Sequence, residues 1–294
     1  MSRPAVRPGD AGDGETIARL LAEGRARLAT ASFAPSSREA ILLLARVLDL
    51  SEAQILARPG IVVARAQAAC FRTLLDRRLT GEPVAYLLRE KEFYGRSFIV
   101  DRRVLIPRPE TEHLVEAVLA LPPPPAPRIL DLGTGSGCLA VTLAAEIRGA
   151  RVCGIDLSPA ALAVAAANAR RHGCAGQVAL AAADLAAAID LVAFDLVVSN
   201  PPYIGEDERA GLSPEVKEFE PALALYAGAR GEAVLERLLA ELALLRPGTP
   251  VVLEIGRGQL ERVRELAAGS PLALVAERAD YAGIPRVVLL SRRR

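Results

Sequence analysis

The chain has 294 residues, with 36 Lys and Arg against 35 Asp and Glu, a net charge of +1. Balanced charge argues against a nucleic-acid coat built on basic surface. With no apolar run of about 18 residues there is no transmembrane candidate, and no apolar core follows the basic N-terminus to make a secretory signal. These features predict a cytoplasmic protein of two domains, with no membrane partner. Cys70, Cys138, Cys153 and Cys174 form no C-x-x-C pair and read as buried thiols in a reducing compartment. His113 and His172 are the only histidines, and neither has a second ligand type at metal-binding spacing, so no metal is expected.

Residues 1–14, rich in Pro, Gly, Asp and Arg, predict a flexible tail. Residues 15–81 predict a small helical domain. Ser36-Ser37-Arg38-Glu39 reads as a capping box before a helix over 40–48, and Ser51-Glu52-Ala53-Gln54 as a second box. Residues 64–79 form a further helical run, ending at Gly81. Leu42, Leu43, Ala45 and Leu50 suggest an apolar face with Arg46 at its edge. Residues 82–108 hold Phe93, Tyr94, Phe98 and Val100 around Gly95, the pattern of a β-hairpin linker. Residues 110–121 are amphipathic and run into Pro122-Pro123-Pro124-Pro125, a stiff connector rather than a recognition motif. From residue 109 to 294 strands and helices alternate, which predicts a mostly parallel sheet. Residues 272–276 and 286–290 are strands with no helix between them, and predict an antiparallel edge.

Two motifs carry the chemistry. Arg128-Ile129-Leu130-Asp131-Leu132 reads as a strand, then Gly133-Thr134-Gly135-Ser136-Gly137 as a glycine loop, then Cys138 opens a helix. Strand, glycine loop and helix make the nucleotide-binding turn, whose backbone can approach a ligand closely. The third glycine comes one position earlier than in the dinucleotide fingerprint. A strand over 151–155 ends at Asp156, placed to accept both hydroxyls of a ribose. Ser158-Pro159 would cap the next helix and leave Asp156 free. A third strand over 177–182 leads to Asp184, which is either a contact for an adenine edge or a solvated loop carboxylate. The second motif is Asn200-Pro201-Pro202-Tyr203, behind the apolar strand Phe194-Asp195-Leu196-Val197-Val198-Ser199. The prolines end pairing and turn the chain out where open α/β sheets bind ligands. The Asn200 amide oxygen and the Pro201 carbonyl are two acceptors beside the Tyr203 ring, a set suited to a planar –NH2 group.

The spacing of the glycine loop resembles the S-adenosyl-L-methionine turn of class I methyltransferases. With Gly81-Glu82-Pro83-Val84-Ala85-Tyr86-Leu87, Glu92-Phe93-Tyr94-Gly95 and Val104-Leu105-Ile106-Pro107-Arg108-Pro109-Glu110-Thr111-Glu112, the chain resembles the HemK/PrmC family of release factor glutamine-N5 methyltransferases. Phe219-Glu220-Pro221, Leu253-Glu254-Ile255-Gly256, Asp280-Tyr281 and Arg286-Val287 extend the likeness, which spans residues 36–290. The resemblance implies a class I fold: a Rossmann-like, seven-stranded, mostly parallel α/β sheet behind a helical bundle and hairpin linker. It implies S-adenosyl-L-methionine as cofactor, held by Gly133, Thr134, Gly135, Ser136, Gly137, Asp156, Asp184, Leu185 and Asn200. Arg108, Glu110 and Thr111 would sit near its methionine end, although Arg108 could instead pair with Glu110 or Glu112. Leu185 stands where some relatives carry Trp beside the adenine. Asn200, Pro201, Pro202 and Tyr203 would form the catalytic motif. The implied partner is a peptide chain release factor, through its Gly-Gly-Gln loop, met by a monomer without direct nucleic-acid specificity. Since every chemical motif lies at or beyond Arg108, residues 15–81 would either recognise it or serve as a stabilising lid for the catalytic domain. A ribosomal-protein glutamine methyltransferase, an adenine amino-methyltransferase and a cofactor-binding scaffold without catalysis are the alternatives.

Overall fold

Alternating apolar strands and small-residue helices bury both faces of one sheet, and this decides the architecture of the larger part of the chain. The structure is a computed structural model and describes residues 15–122 and 124–293; the expected tail over 1–14 lies outside the described residues, as does Pro123 of the proline connector. The chain divides into two compact units, Met1–Leu88 and Arg89–Arg294.

In the first unit a two-residue strand β1 (Glu15–Thr16) pairs with β2 (Val62–Val63), and five helices follow the apolar periodicity: α1 (Ile17–Leu28), α2 (Glu39–Leu48), α3 (Glu52–Ala57), α4 (Arg65–Leu79) and α5 (Val84–Leu88). The box at Ser51 forms as expected: Ser51 Oγ accepts from Gln54 N and Gln54 Oε1 accepts from Ser51 N. The box at Ser36 forms on one side only. Glu39 Oε1 accepts from Ser36 N at 3.0 Å, but the Ser36 hydroxyl accepts from Arg38 N. The α2 N-cap is Arg38, without a side-chain cap. The Glu39 carboxylate is also committed to Arg78 Nε at 2.7 Å, a pairing across 39 residues that no local pattern reveals. Arg78 is 1% exposed and lies 4.0 Å from the centre of the Phe33 ring. The core face of α2 is Ala40, Ile41, Leu43, Leu44 and Ala45, shifted from the expected stripe, with Leu42 half-buried. Cys70 is exposed, against expectation; Cys138 and Cys153 are half-buried and Cys174 buried.

The second unit opens with the expected hairpin, β3 (Lys91–Phe93) and β4 (Arg96–Phe98). Its two-residue turn, Tyr94-Gly95, has φ of 51° and 70°; two positive φ angles match the twist of paired strands. A 3-10 turn (Pro109–Thr111) leads into α6 (Glu112–Leu119). Then come β5 (Arg128–Leu132), α7 (Cys138–Glu146), β6 (Arg151–Asp156), α8 (Pro159–Arg171), β7 (Val178–Ala182), β8 (Leu196–Ser199), α9 (Pro214–Phe219), α10 (Ala233–Leu242), β9 (Pro250–Glu254), α11 (Leu260–Ala268), β10 (Leu272–Ala279) and β11 (Pro285–Arg292).

The larger sheet has seven strands in the order β10-β11-β9-β8-β5-β6-β7. Neighbours from β9 to β7 are parallel, while β11 is antiparallel to both β9 and β10, the expected edge. Ile129, Val152, Val198 and Val252 pack with α6, α7 and α8 on one face. Leu130, Ile155, Val197 and Leu253 pack with α10 and α11 on the other. The period-2 alternation of a strand makes this three-layer stack. The order turns back at β5, which lies between β6 and β8, and such a switch point leaves a crevice at the strands' C-terminal ends. Among the described residues no helix is long and apolar enough to cross a membrane.

Candidate active site

The parallel register sets Leu132 of β5 opposite Ser199 of β8, and the Ser199 hydroxyl donates to the Leu132 carbonyl at 2.7 Å. The two motifs that follow these residues therefore emerge side by side. A Cβ on Gly133 would lie 3.8 Å from the Asn200 carbonyl oxygen. A cavity of about 410 Å³ opens here, lined by Gly133, Gly135, Asp156, Asp184, Leu185 and Asn200 among others. That volume lies within the range of about 300–1,000 Å³ typical of small-molecule sites.

The glycine loop is anchored from below. Gly133 N and Thr134 N both donate to the Ile155 carbonyl, at 2.8 and 2.9 Å. Gly133, Gly135 and Gly137 all have positive φ, so the loop needs residues without a Cβ penalty. A Cβ on Gly137 would come within 3.0 Å of Ala165 Cβ, and its absence lets α7 approach α8. Thr134 and Ser136 are buried beneath the loop rather than lining the cavity. The Thr134 hydroxyl donates to Asp131 Oδ2 at 2.6 Å. Asp131 Oδ1 is buried without a hydrogen-bond partner among the described residues. Burial pushes the Asp131 carboxyl up to about 7; the Asp156 charge adds to this and the Thr134 bond opposes it.

Asp156 is less free than the Ser158 cap implied. Ser158 does cap α8, accepting from Ala161 N at 3.2 Å. Asp156 nonetheless accepts from Ser158 N through Oδ1 and from Gly135 N through Oδ2, both at 2.8 Å. Each oxygen keeps a lone pair for the cavity, so the carboxylate can both brace the loop and receive a ligand. Asp184 Oδ2 is paired with Arg237 at 2.8 Å, both about half exposed. Leu185 has φ of 51° and also lines the cavity.

At the end of β8, Asn200 Nδ2 donates to Thr111 Oγ1 at 3.1 Å. This leaves Oδ1 as the acceptor open for a ligand. The Pro201 carbonyl receives no hydrogen bond from the described residues. The Tyr203 hydroxyl donates to Glu254 Oε1 at 3.4 Å, and its ring lies against Gly256, where a Cβ would come within 3.0 Å. Burial, then the Glu254 charge, raises the Tyr203 pKa and keeps the phenol neutral. Arg108 pairs with neither Glu110 nor Glu112. Its partner is Glu220 at 2.5 Å, whose other oxygen accepts from Ile106 N at 3.1 Å. Glu112 instead accepts from Tyr94 N at 2.9 Å. The Glu110 side chain forms no hydrogen bond with the described residues, and Arg108, Glu110 and Thr111 stand outside the cavity wall.

Three supports escaped sequence reasoning. Asn168, wholly buried, accepts from Ile99 N and donates to the carbonyls of Ile99 and Ser136, tying the segment after the hairpin to the glycine loop. Gln259 accepts from Gly256 N and donates to the carbonyls of Tyr203 and Gly231. Glu254 ends β9 at 1% exposure. Glu220 and Glu254 stood in motifs of the resemblance without a role; Asn168 lies on a helix face whose meaning depends on what packs there. No cluster of metal-ligating side chains occurs among the described residues.

Comparisons place the geometry in a family. Residues 19–88 match the PrmC N-terminal domain and residues 111–213 the methyltransferase small domain. The chain is 41% identical over 282 residues to the release factor glutamine methyltransferase of Nitratidesulfovibrio vulgaris, covering 94% of this chain and 95% of that protein. It is 43% identical over 263 residues to the release factor glutamine methyltransferase of Cereibacter sphaeroides, covering 89% and 93%. A methyltransferase from Pyrococcus furiosus shares the fold with a TM-score of 0.52 at 16% identity, over 69% of this chain and 92% of that one. With identity at this level along nearly the whole length of both relatives, the chain belongs to the release factor glutamine methyltransferase family.

Proposed function

We propose that the chain methylates the N5 amide of the glutamine in the Gly-Gly-Gln motif of peptide chain release factors, with S-adenosyl-L-methionine as donor. The observation that carries this reading is Asn200, which lines the cavity and whose Nδ2 is taken by Thr111, leaving Oδ1 as the acceptor for a ligand. The glycine loop, the two remaining lone pairs of Asp156 and a cavity of about 410 Å³ fit a nucleoside with an attached amino acid. The bound cofactor supplies an activated methyl group.

The protein's part is to place a poor nucleophile. A glutamine amide nitrogen has a delocalised lone pair. Asn200 Oδ1 and the Pro201 carbonyl together accept both amide hydrogens, which fixes the nitrogen and returns electron density to it. Orientation of this kind can supply up to roughly 7–11 kcal/mol in the best intramolecular cases. Tyr203 packs beside the amide plane. The methylated amide loses a proton readily afterwards, so no strong base is needed. The reading further assigns substrate recognition to the helical residues 15–81, and takes the protein as a cytoplasmic monomer. Binding energy from such a remote surface can position the reacting amide.

The test is incubation with labelled S-adenosyl-L-methionine and a purified release factor, with the label mapped by mass spectrometry. Label on the Gly-Gly-Gln glutamine is expected, and is expected to vanish in Asn200→Ala while cofactor affinity persists, as for an interaction used mainly in the transition state. Label on a ribosomal protein or on adenine instead would overturn the assignment. A chain beginning at Arg89 is expected to bind cofactor but lose most of its kcat/KM towards the intact release factor; equal activity would refute the recognition role.

A further inference from the structure

Part of the cavity wall lies outside the sheet. Besides the glycine loop, Asp156 and Asn200, the cavity is lined by Arg102, Val104 and Leu105 from one segment, and by Pro221, Ala224 and Tyr226 from another. Neither segment belongs to a strand of the sheet, so each depends on the side chains that reach its backbone. The first is tied down at both ends. Asn168 grips it at Ile99. At the other end Ile106 N donates to Glu220 Oε2 at 3.1 Å, and Arg108 Nη2 donates to Glu220 Oε1 at 2.5 Å. Between these anchors Val104 N donates to the Asp101 carbonyl and Arg103 N to Asp101 Oδ1, bonds that shape a turn without fixing it to the sheet. The second segment is tied at its far end, just behind Tyr203. There Ile204 N donates to the Leu225 carbonyl at 3.0 Å and Ala227 N to the Ile204 carbonyl at 2.9 Å. At its near end stands Glu220, 6% exposed, with both oxygens committed to the first segment. The Arg102 guanidinium also lies 4.7 Å from the centre of the Phe219 ring. Glu220, Ile106 and Arg108 do not themselves line the cavity.

We infer that Glu220 is a positioning residue, which joins residues 102–105 to residues 221–226 as one wall and so keeps the cavity in the form that retains the cofactor. The inference rests on the reading of this cavity as the S-adenosyl-L-methionine site. Without the carboxylate, the Ile106 N–H and the Arg108 guanidinium lose a shared acceptor, and the two segments can part. A cavity whose competent form is populated to only about 1–10% binds its ligand about 10–100-fold more weakly. Bound ligand selects the closed form, so the loss falls on cofactor binding more than on turnover.

The experiment measures S-adenosylhomocysteine affinity by calorimetry and Tm for the native chain, E220Q, R108M and R108K, with KM for the cofactor and kcat on a purified release factor. Glutamine keeps the shape of Glu220, but its –NH2 group meets one of the two donors. E220Q is expected to bind S-adenosylhomocysteine about 10–100-fold more weakly, with KM for the cofactor rising more than kcat falls. R108M leaves the Ile106 bond in place and is expected to weaken binding less. R108K keeps the charge and a donor, and is expected to lie between R108M and the native chain. A merely structural Glu220 would lower Tm and leave the affinity of the folded protein unchanged. Native affinity in E220Q, or a loss confined to kcat, overturns the inference. Should E220Q fail to fold, R108M with native affinity overturns it equally. If the native chain binds no S-adenosylhomocysteine, the cofactor reading of the cavity itself falls, a result distinct from a native chain that binds beside an indifferent E220Q.

Discussion

Removing the Asn168 side chain tests whether the glycine loop is held by long-range bonds. Asn168 is fully buried on α8 and makes three bonds: it accepts from Ile99 N at 2.7 Å and donates to Ile99 O at 3.0 Å and Ser136 O at 2.8 Å. In Asn168→Ala the Ser136 carbonyl, in a residue only 3% exposed, loses its donor where water cannot easily replace it, a cost of about 1–3 kcal/mol. The two bonds to half-buried Ile99 add about 0.5–1.5 kcal/mol each, giving a loss of about 2–6 kcal/mol. For a unit of this size each kcal/mol lowers Tm by roughly 2–4 °C. The chain has no Trp, so far-ultraviolet circular dichroism in urea and on heating is the suitable reporter. The urea midpoint is expected to fall with the slope unchanged, the sign of lost stability rather than an altered unfolded state. Cofactor affinity should fall with it, because the Ser136 carbonyl belongs to the loop. Asn168→Asp, which matches the shape but sets an acceptor against two carbonyls, should do no better. A native midpoint together with native cofactor affinity would refute the reasoning.

Three further outcomes are expected. Asp156→Ala should weaken cofactor binding by about 1.5–3 kcal/mol, the scale of a bond to a charged group, and should lower Tm as well, because the carboxylate holds Gly135 N; unchanged affinity in calorimetry would count against it. Arg78→Met leaves Glu39 buried without its 2.7 Å partner and should destabilise the helical unit by about 3–5 kcal/mol; a thermal melt shifted by the equivalent of less than about 1 kcal/mol would show the pair to be dispensable. Gly231→Ala combines φ of 74° with a Cβ placed 2.2 Å from the Tyr203 carbonyl oxygen, so a loss of about 2–5 kcal/mol is expected. Turnover should suffer more than cofactor affinity, and a native melting curve would refute it.

The sequence by itself determined what is local. Strand, glycine loop and helix are adjacent in the chain, so their order already shows the turn over Arg128–Glu146 and its exposed backbone. Two prolines after an apolar strand place Asn200 at a sheet end for the same reason. The alternation of elements was enough for a mostly parallel sheet with an antiparallel edge, because period and connection length constrain pairing. What only the tertiary structure decided are partnerships between distant residues. Arg108 finds Glu220 across 112 positions and Asn200 finds Thr111 across 89. Glu39, which four consecutive residues suggested only as part of a capping box, keeps its bond to Ser36 N and also pairs with Arg78 across 39 positions. Asn168 and Glu254 read as ordinary helix and strand-end residues until the fold buries them, at 0% and 1% exposure. Burial strips away competing water, so each buried polar atom must find a partner inside the fold. Which partner it finds depends on the register of β8 against β5 and of β9 against β8, and on the packing of α6, α7 and α8. Those are set by shape and volume across the whole core, and a sequence read in windows does not contain them.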